Sequence, residues 1–160
     1  MQIDFVQDRQ LDGLAALMHE MADHYRVPTP PGAMRRHLAQ TLLAPGSPVR
    51  LVVACPDDAP DTPAGFAAVT LFHSLVDRTP QLAMKELYVA ASQRGRGVGA
   101  ALLRWLARHA IAQGCTRMDW PVDAANAGGL AFYAAQGAKP VPSRLHHRLD
   151  AEGLARLAAG

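Results

Sequence analysis

The spacing of apolar residues changes several times along this chain, and each change marks an element. Ile3 and Phe5 alternate with polar neighbours, a period of two that predicts a first strand over 2–7. Asp8 is a candidate helix cap, and Leu11, Leu14, Ala15, Leu17, Met18, Met21 and Tyr25 then recur at helical spacing. Pro28, Pro30 and Pro31 make residues 27–32 a loop. Met34, Leu38, Leu42 and Leu43 predict a second helix over 32–43, closed by Pro45, Gly46 and Pro48. Three strands follow, over 49–55, 64–75 and 82–89, with Gly65 a candidate bulge. The turn between the first two, PDDAPDTP, lacks the ligand spacing of a calcium-binding helix–loop–helix and reads as a solvated hairpin. Val98, Leu102, Leu103 and Leu106 predict a helix over 98–113, stopped by Gly114. A fifth strand over 116–122 contains Pro121, which has no amide to donate and predicts an edge or a splay. Asn126 then caps a helix over 127–136 that Gly137 ends, and a last strand over 141–149 leads into a short helical stretch carrying Leu154 and Leu157. Several strands in succession before the main helix predict a mixed sheet, not a fully parallel one.

The stretch from Lys85 to Ala107 carries the chemistry. Strand-forming Glu86-Leu87-Tyr88-Val89 runs into a turn with glycine at three alternate positions, Gly95, Gly97 and Gly99, and the turn opens the 98–113 helix. Glycines let backbone amides crowd round a ligand, and a helix N-terminus adds unpaired donors and partial positive charge. Together they suit phosphate or pyrophosphate, with Arg94 and Arg96 beside them. Three readings are open on spacing alone: a plain tight turn, a dinucleotide fold and an acyl-CoA site. Gly95-x-Gly97-x-x-Ala100 fits the loose dinucleotide fingerprint, with Asp119 about 20 residues on. Against it, the motif follows about 90 residues of other structure, and Asp119 lies inside an apolar run instead of at a strand end.

Composition narrows the partners. The length of 160 residues predicts a single domain, 1–160, with a real core. No apolar run reaches the roughly 20 residues that cross a bilayer, and Met1-Gln2-Ile3-Asp4 does not resemble a signal peptide, so a soluble cytoplasmic protein is expected. A net charge of +2 gives no argument for nucleic acid or membrane partners. Cys55 and Cys115 read as buried thiols, not as a disulfide, and their spacing suggests no metal site.

Arg94-Gly95-Arg96-Gly97-Val98-Gly99 resembles the Arg/Gln-x-x-Gly-x-Gly/Ala motif of the GNAT superfamily of acetyl-CoA-dependent N-acetyltransferases. Glu86 to Val89 is similar to the strand that the family places just before it. Asn126, followed by Phe132-Tyr133-Ala134-Ala135-Gln136-Gly137-Ala138, resembles the family's later Asn…Phe-Tyr…Gly-Ala/Phe segment. The resemblance covers roughly residues 65–150. It implies an α/β (α+β) fold: a mixed, mostly antiparallel twisted sheet of six to seven strands, flanked by about four helices and splayed between the fourth and fifth strands. It implies acetyl-CoA as co-substrate, a small-molecule amine as acceptor, and a possible homodimer.

The resemblance also assigns roles. Leu87, Tyr88 and Val89 would offer main-chain contacts to the acetyl and pantetheine groups. Arg94, Gly95, Arg96, Gly97, Val98, Gly99 and Ala100 would wrap the pyrophosphate, and Asn126 would hydrogen-bond the cofactor arm or act simply as a helix cap. Tyr133 matches the tyrosine near the thioester sulfur, a candidate general acid, with a half-buried aromatic as the plainer reading. Glu86 is the candidate general base, relaying the amine proton through water or attracting a cationic amine; an ion pair with Lys85 is its plainer reading. The first two helices would wall the acceptor pocket. His19, Glu20, Asp23, His24 and Tyr25 are the polar candidates there, and a solvated helix face is the simpler account of each.

Among GNAT groups the chain looks nearest to the diamine and thialysine acetyltransferases, through Leu87-Tyr88-Val89, Gly114-Cys115 and the tail Arg148-Leu149 with Leu154 and Leu157. It departs from them at Lys85, where that group tends to have an acid, and at Ala125, where a tryptophan often stands. Small amines, amino-acid-like substrates, antibiotic amines and, behind them, a protein N-terminus or lysine stay open, as does a non-catalytic acyl-CoA-binding module.

Overall fold

The computed structural model describes residues 1–160 in full. The chain divides into two compact units, Met1–Pro121 and Val122–Gly160.

The first unit holds a sheet of β1 (Gln2–Phe5), β2 (Arg50–Cys55), β3 (Gly65–His73), β4 (Pro80–Val89) and β5 (Met118–Asp119), in that spatial order. The first three pairings are antiparallel and β4–β5 is parallel. The unit's helices are α1 (Leu11–His24), α2 (Ala33–His37) and α3 (Val98–Ala112). The second unit holds α4 (Ala127–Ala135) and α5 (Ala151–Ala159).

The mixed, mostly antiparallel α+β arrangement is therefore formed, with five strands where six to seven were expected and five helices where four were. The missing strand is 141–149. Pro142 removes a ladder donor, and Arg144 N–H closes a turn onto the Val141 carbonyl at 3.1 Å, so the stretch folds as irregular chain. The expected second helix continues beyond α2 as one π turn, Leu38–Leu42, in which Leu43 N–H reaches back to the Leu38 carbonyl at 2.9 Å.

Strand alternation builds one core layer on each face of the sheet. On one face, Leu51, Val53, Cys55, Phe66, Ala68 and Tyr88 pack with Leu14, Leu17 and Met18 of α1 and with Leu38. The opposite face takes α3 through Val98, Leu102 and Leu106, which are almost fully buried. A leucine removed from water to this degree contributes about 2 kcal/mol.

At Gly65, α3 packs tightly against the sheet. A Cβ there would stand 2.9 Å from the Tyr88 carbonyl oxygen and 3.0 Å from Val98 Cγ1. Both neighbours are in the core or the backbone, so neither can swing away. Gly65→Ala is expected to cost about 1–3 kcal/mol, read as a lower thermal midpoint, because an extra methyl in a packed interface forces backbone shifts. An unchanged midpoint would show that this contact relaxes freely.

Candidate active site

Three local features converge at the exit of β4. The first is its open edge. β5 pairs with β4 only at Leu82↔Met118 and Ala83↔Asp119, so from Met84 onward that side of β4 has no strand beside it. The expected fifth strand, 116–122, is thus reduced to two paired residues that stop just before Pro121. The loss of pairing expected of that proline is present.

The second feature is the direction of β4's peptide groups. Ala90 N–H donates to the Ala64 carbonyl on β3 at 2.9 Å. In antiparallel pairing, residues alternate between bonding the partner and pointing away from it. Tyr88, opposite Phe66, therefore spends its N–H and C=O on β3, whereas Leu87 and Val89 turn theirs to the open edge. Of the three residues expected to offer main-chain contacts, Leu87 and Val89 thus turn peptide groups to the open edge and Tyr88 turns its own to β3. The Val89 carbonyl is taken by Arg94 Nε at 3.2 Å.

The third feature is the glycine turn. After a 3-10 turn at Ala91–Gln93, Gly95 and Gly97 adopt left-handed φ values of 73° and 81°, and Gly97 opens α3. A side chain at either would meet nothing within 4 Å, so conformation, not space, requires glycine. Gly97→Ala is expected to cost about 1–2 kcal/mol, the penalty for an L-residue in the left-handed region, measured by denaturant midpoint. Arg94, Arg96 and Gly97 are exposed, while Val98 is buried and anchors the turn from beneath.

A bulge in β4 sets the direction of Glu86. Ala68 faces Glu86 and Val69 faces Met84, so Lys85 is the extra residue, and the bulge lies there and not at Gly65. One inserted residue reverses the alternation, placing Glu86 on the Tyr88 and Ala68 face, which α1 and the Leu38 turn cover. There Glu86 is half-buried, and desolvation pushes its carboxyl above the usual carboxylate range, with Lys85 opposing weakly. Burial also raises the Tyr88 phenol, and its hydrogen bond to Glu20 adds to the effect.

The polar residues of α1 divide. His19 makes a 3.9 Å surface pair with Asp23. His24 brings its ring to 6.2 Å from that of Tyr88 and 5.2 Å from that of Tyr25. Glu20 is not part of a solvated face: its Oε1 accepts from Tyr88 OH at 3.0 Å and from Ala91 N–H at 2.8 Å. The sequence signal was its position three residues after buried Leu17, at the margin of the apolar stripe.

Residues 14–138 match the model of the Acetyltransferase (GNAT) family. The chain belongs to this family. An integron cassette protein from the mobile metagenome of V. cholerae is similar along 99% of this chain and 98% of its own, at 27% identity and a TM-score of 0.90. A probable acetyltransferase is similar at 21% identity and a TM-score of 0.83, over 94% of this chain and 97% of that one. An aminoglycoside acetyltransferase from an uncultured soil metagenomic sample, solved with sisomicin, shares the fold at 15% identity and a TM-score of 0.73, over 93% and 96%. No curated protein matches the chain. GNAT membership and the mixed, mostly antiparallel sheet remove the dinucleotide alternative, which needs a parallel doubly wound sheet. Asp119, its ribose-binding candidate, pairs with Ala83 and is held by Arg117 Nε at 3.0 Å.

In the second unit of this GNAT chain, Asn126 Oδ1 accepts from Gly129 N–H at 2.8 Å and so caps α4. Tyr133 lies in the last turn of α4, half-buried, with its ring centroid 5.1 Å from that of Phe132. Its carbonyl accepts from Ala138 N–H at 3.1 Å, and Gly137 N–H reaches Ala134, the closing pattern of a left-handed glycine stop. Cys55 is buried and Cys115 half-buried, both free thiols. No helix is long and apolar enough to cross a membrane.

Proposed function

We propose that this GNAT acetyltransferase moves an acetyl group from acetyl-CoA directly to the primary amine of a small molecule. The observation that carries the reading is the open edge of β4 leading into a glycine-lined helix N-terminus. The residues present fit an acyl-CoA. Leu87 offers an outward amide and carbonyl and Val89 an outward amide for an amide-bearing arm, and the amides from Gly95 to Ala100, with Arg94 and Arg96, suit a diphosphate. Asn126 is assigned to the arm by family resemblance, a role compatible with its cap. Acetyl-CoA supplies the acetyl group in activated thioester form.

The chain's own residues do the rest. Outward N–H groups of β4 polarise a carbonyl held beside them, as oxyanion donors do. Glu86, raised by burial, takes the amine proton directly or through water. Tyr133 is proposed to protonate the departing thiolate, a phenol near pKa 10 being matched to a thiol. Holding both reactants in one site supplies several kcal/mol of the barrier without any enzyme nucleophile.

For the acceptor, the look of the diamine and thialysine group rests on the residues already named. Lys85 beside Glu86 opposes a dication and favours an amine of lower charge. An antibiotic amine remains within the class. A chain 1–160 acting as one domain and pairing as a homodimer completes the proposal.

The test is thermal shift with acetyl-CoA, CoA, NAD and NADP in parallel, followed by free-thiol release with a panel of amines. Acetyl-CoA at a hundred times its dissociation constant is expected to add about 2.7 kcal/mol. A shift with NAD or NADP alone would overturn the reading. Binding of CoA without thiol release across the panel would favour the non-catalytic module.

A further inference from the structure

Every main-chain bond of the segment that leaves β4 is local except two. Ala90 N–H reaches Ala64 on β3, and Ala91 N–H reaches Glu20 on α1. Ala91 opens the 3-10 turn, so its N–H has no partner within that turn. Glu20 Oε1 fills the gap at 2.8 Å from 71 positions away in sequence, and the same oxygen accepts the Tyr88 hydroxyl at 3.0 Å. Tyr88 is buried, and its ring lies under the Arg94 guanidinium with 5.4 Å from Cζ to the centroid. Arg94 closes the circuit by donating to the Val89 carbonyl. Glu20, Tyr88 and Arg94 thus fasten the last strand residues and the first turn residues to α1, immediately before the glycine loop. Glu20 also walls a cleft of about 530 Å³ together with Ala90, Ser92, Gln93 and Arg96 of the fastened segment.

We propose that Glu20 is a positioning residue for the anion-binding loop: its carboxylate fixes Ala91 and Tyr88, and through them the path of residues 90–97. The proposal rests on the acetyl-CoA reading above. A carboxylate close to a diphosphate loop repels the ligand, so its net effect on binding is favourable only through the two donors it holds. That separates charge from acceptor function. Glutamine at 20 keeps an acceptor oxygen and sheds the repulsion, whereas alanine takes the acceptor from the Ala91 amide and leaves the Tyr88 hydroxyl with Arg94 alone.

The experiment uses the full chain and two readouts. Amide hydrogen exchange of Ala91 to Gly97 is followed without ligand in wild type, E20Q, E20A and Y88F. Acetyl-CoA affinity is measured by calorimetry on the same proteins, with a thermal midpoint for each to confirm folding. In E20A, Ala91 is expected to exchange about tenfold faster or more and acetyl-CoA to bind about tenfold more weakly, with KM raised and kcat nearly kept. E20Q is expected to recover most of both, to within roughly threefold of wild type. Y88F, which removes one of the two donors but leaves Glu20 on Ala91, is expected to fall between E20A and wild type in both readouts. Unaltered Ala91 exchange in E20A, or unaltered acetyl-CoA affinity in a folded E20A, overturns the positioning role while the family chemistry stands. Faster Ala91 exchange in E20A, in a protein whose wild type binds no acetyl-CoA, keeps the fastening and overturns the cofactor reading instead.

Discussion

Replacing Tyr133 by phenylalanine is expected to lower the acetyl-transfer rate by about 10²-fold or more, the range removed with a positioned general acid. Acetyl-CoA affinity is expected to stay within about threefold, because the ring is kept and only a hydroxyl is lost. The loss should fall on kcat, since the proton is needed when the thiolate leaves and not when acetyl-CoA binds. Placement of the residue supports a rigid role. Tyr133 is the residue whose carbonyl receives the closing bond of α4, so its backbone is fixed by the Gly137 stop, and Phe132 packs beside its ring. Calorimetry of the variant with acetyl-CoA, beside stopped-flow thiol release, separates the two quantities. Activity that survives the change across several amines would send the leaving proton to another donor and remove Tyr133 from the mechanism.

The parts of this fold visible in the sequence are those set by local physics. Gly95 and Gly97 sit at left-handed φ because the strand must turn into α3 within a few residues, and a glycine-rich turn signals that need directly. Gly114 and Gly137, also left-handed, end α3 and α4 where helical periodicity stops. Asn126 caps α4 as its residue type predicts. What the sequence hid depends on partners far along the chain. The bulge at Lys85 exists only as a mismatch with Ala68 and Val69 of β3, and nothing in Lys-Glu-Leu marks it. Glu20 looks like any acid on a helix until Ala91 and Tyr88 are brought to it. The stretch 141–149 carries Val141, Leu145 and Leu149, but apolar residues make a strand only when a neighbouring edge accepts them. Pro142 instead turns the chain, leaving Leu145 80% exposed. The β5 pattern fails for a related reason: pairing ends at Asp119 although apolar residues continue past it.

The bulge gives Glu86 a second expected signature, in which activity and stability move in opposite directions. Burial raises its carboxyl pKa, so the folded state holds the charged form less comfortably than the unfolded chain does. The sign follows from linkage. A raised acid costs nothing below its unfolded pKa, where both states are protonated, and stability falls as pH rises through the folded value. Glu86→Gln carries no charge to desolvate. It is therefore expected to melt higher than wild type at neutral pH, with the advantage vanishing as the pH falls below about 4.5, the ordinary glutamate value. Activity should respond in the other direction. Glutamine cannot accept the amine proton, and a fall in rate of about 10²-fold is the expected scale for a lost general base. The deficit should be greatest at the lower end of a series from about pH 6 to about pH 9 and should shrink towards the amine's own pKa, where free amine no longer needs a base. Melting curves and thiol-release rates across that series, on the same two proteins, give both signatures. A flat rate ratio combined with a higher melting point would leave Glu86 as a desolvated carboxylate without a base role. A lower melting point at neutral pH would mean that the bulge needs the charge, and the burial argument itself would fail.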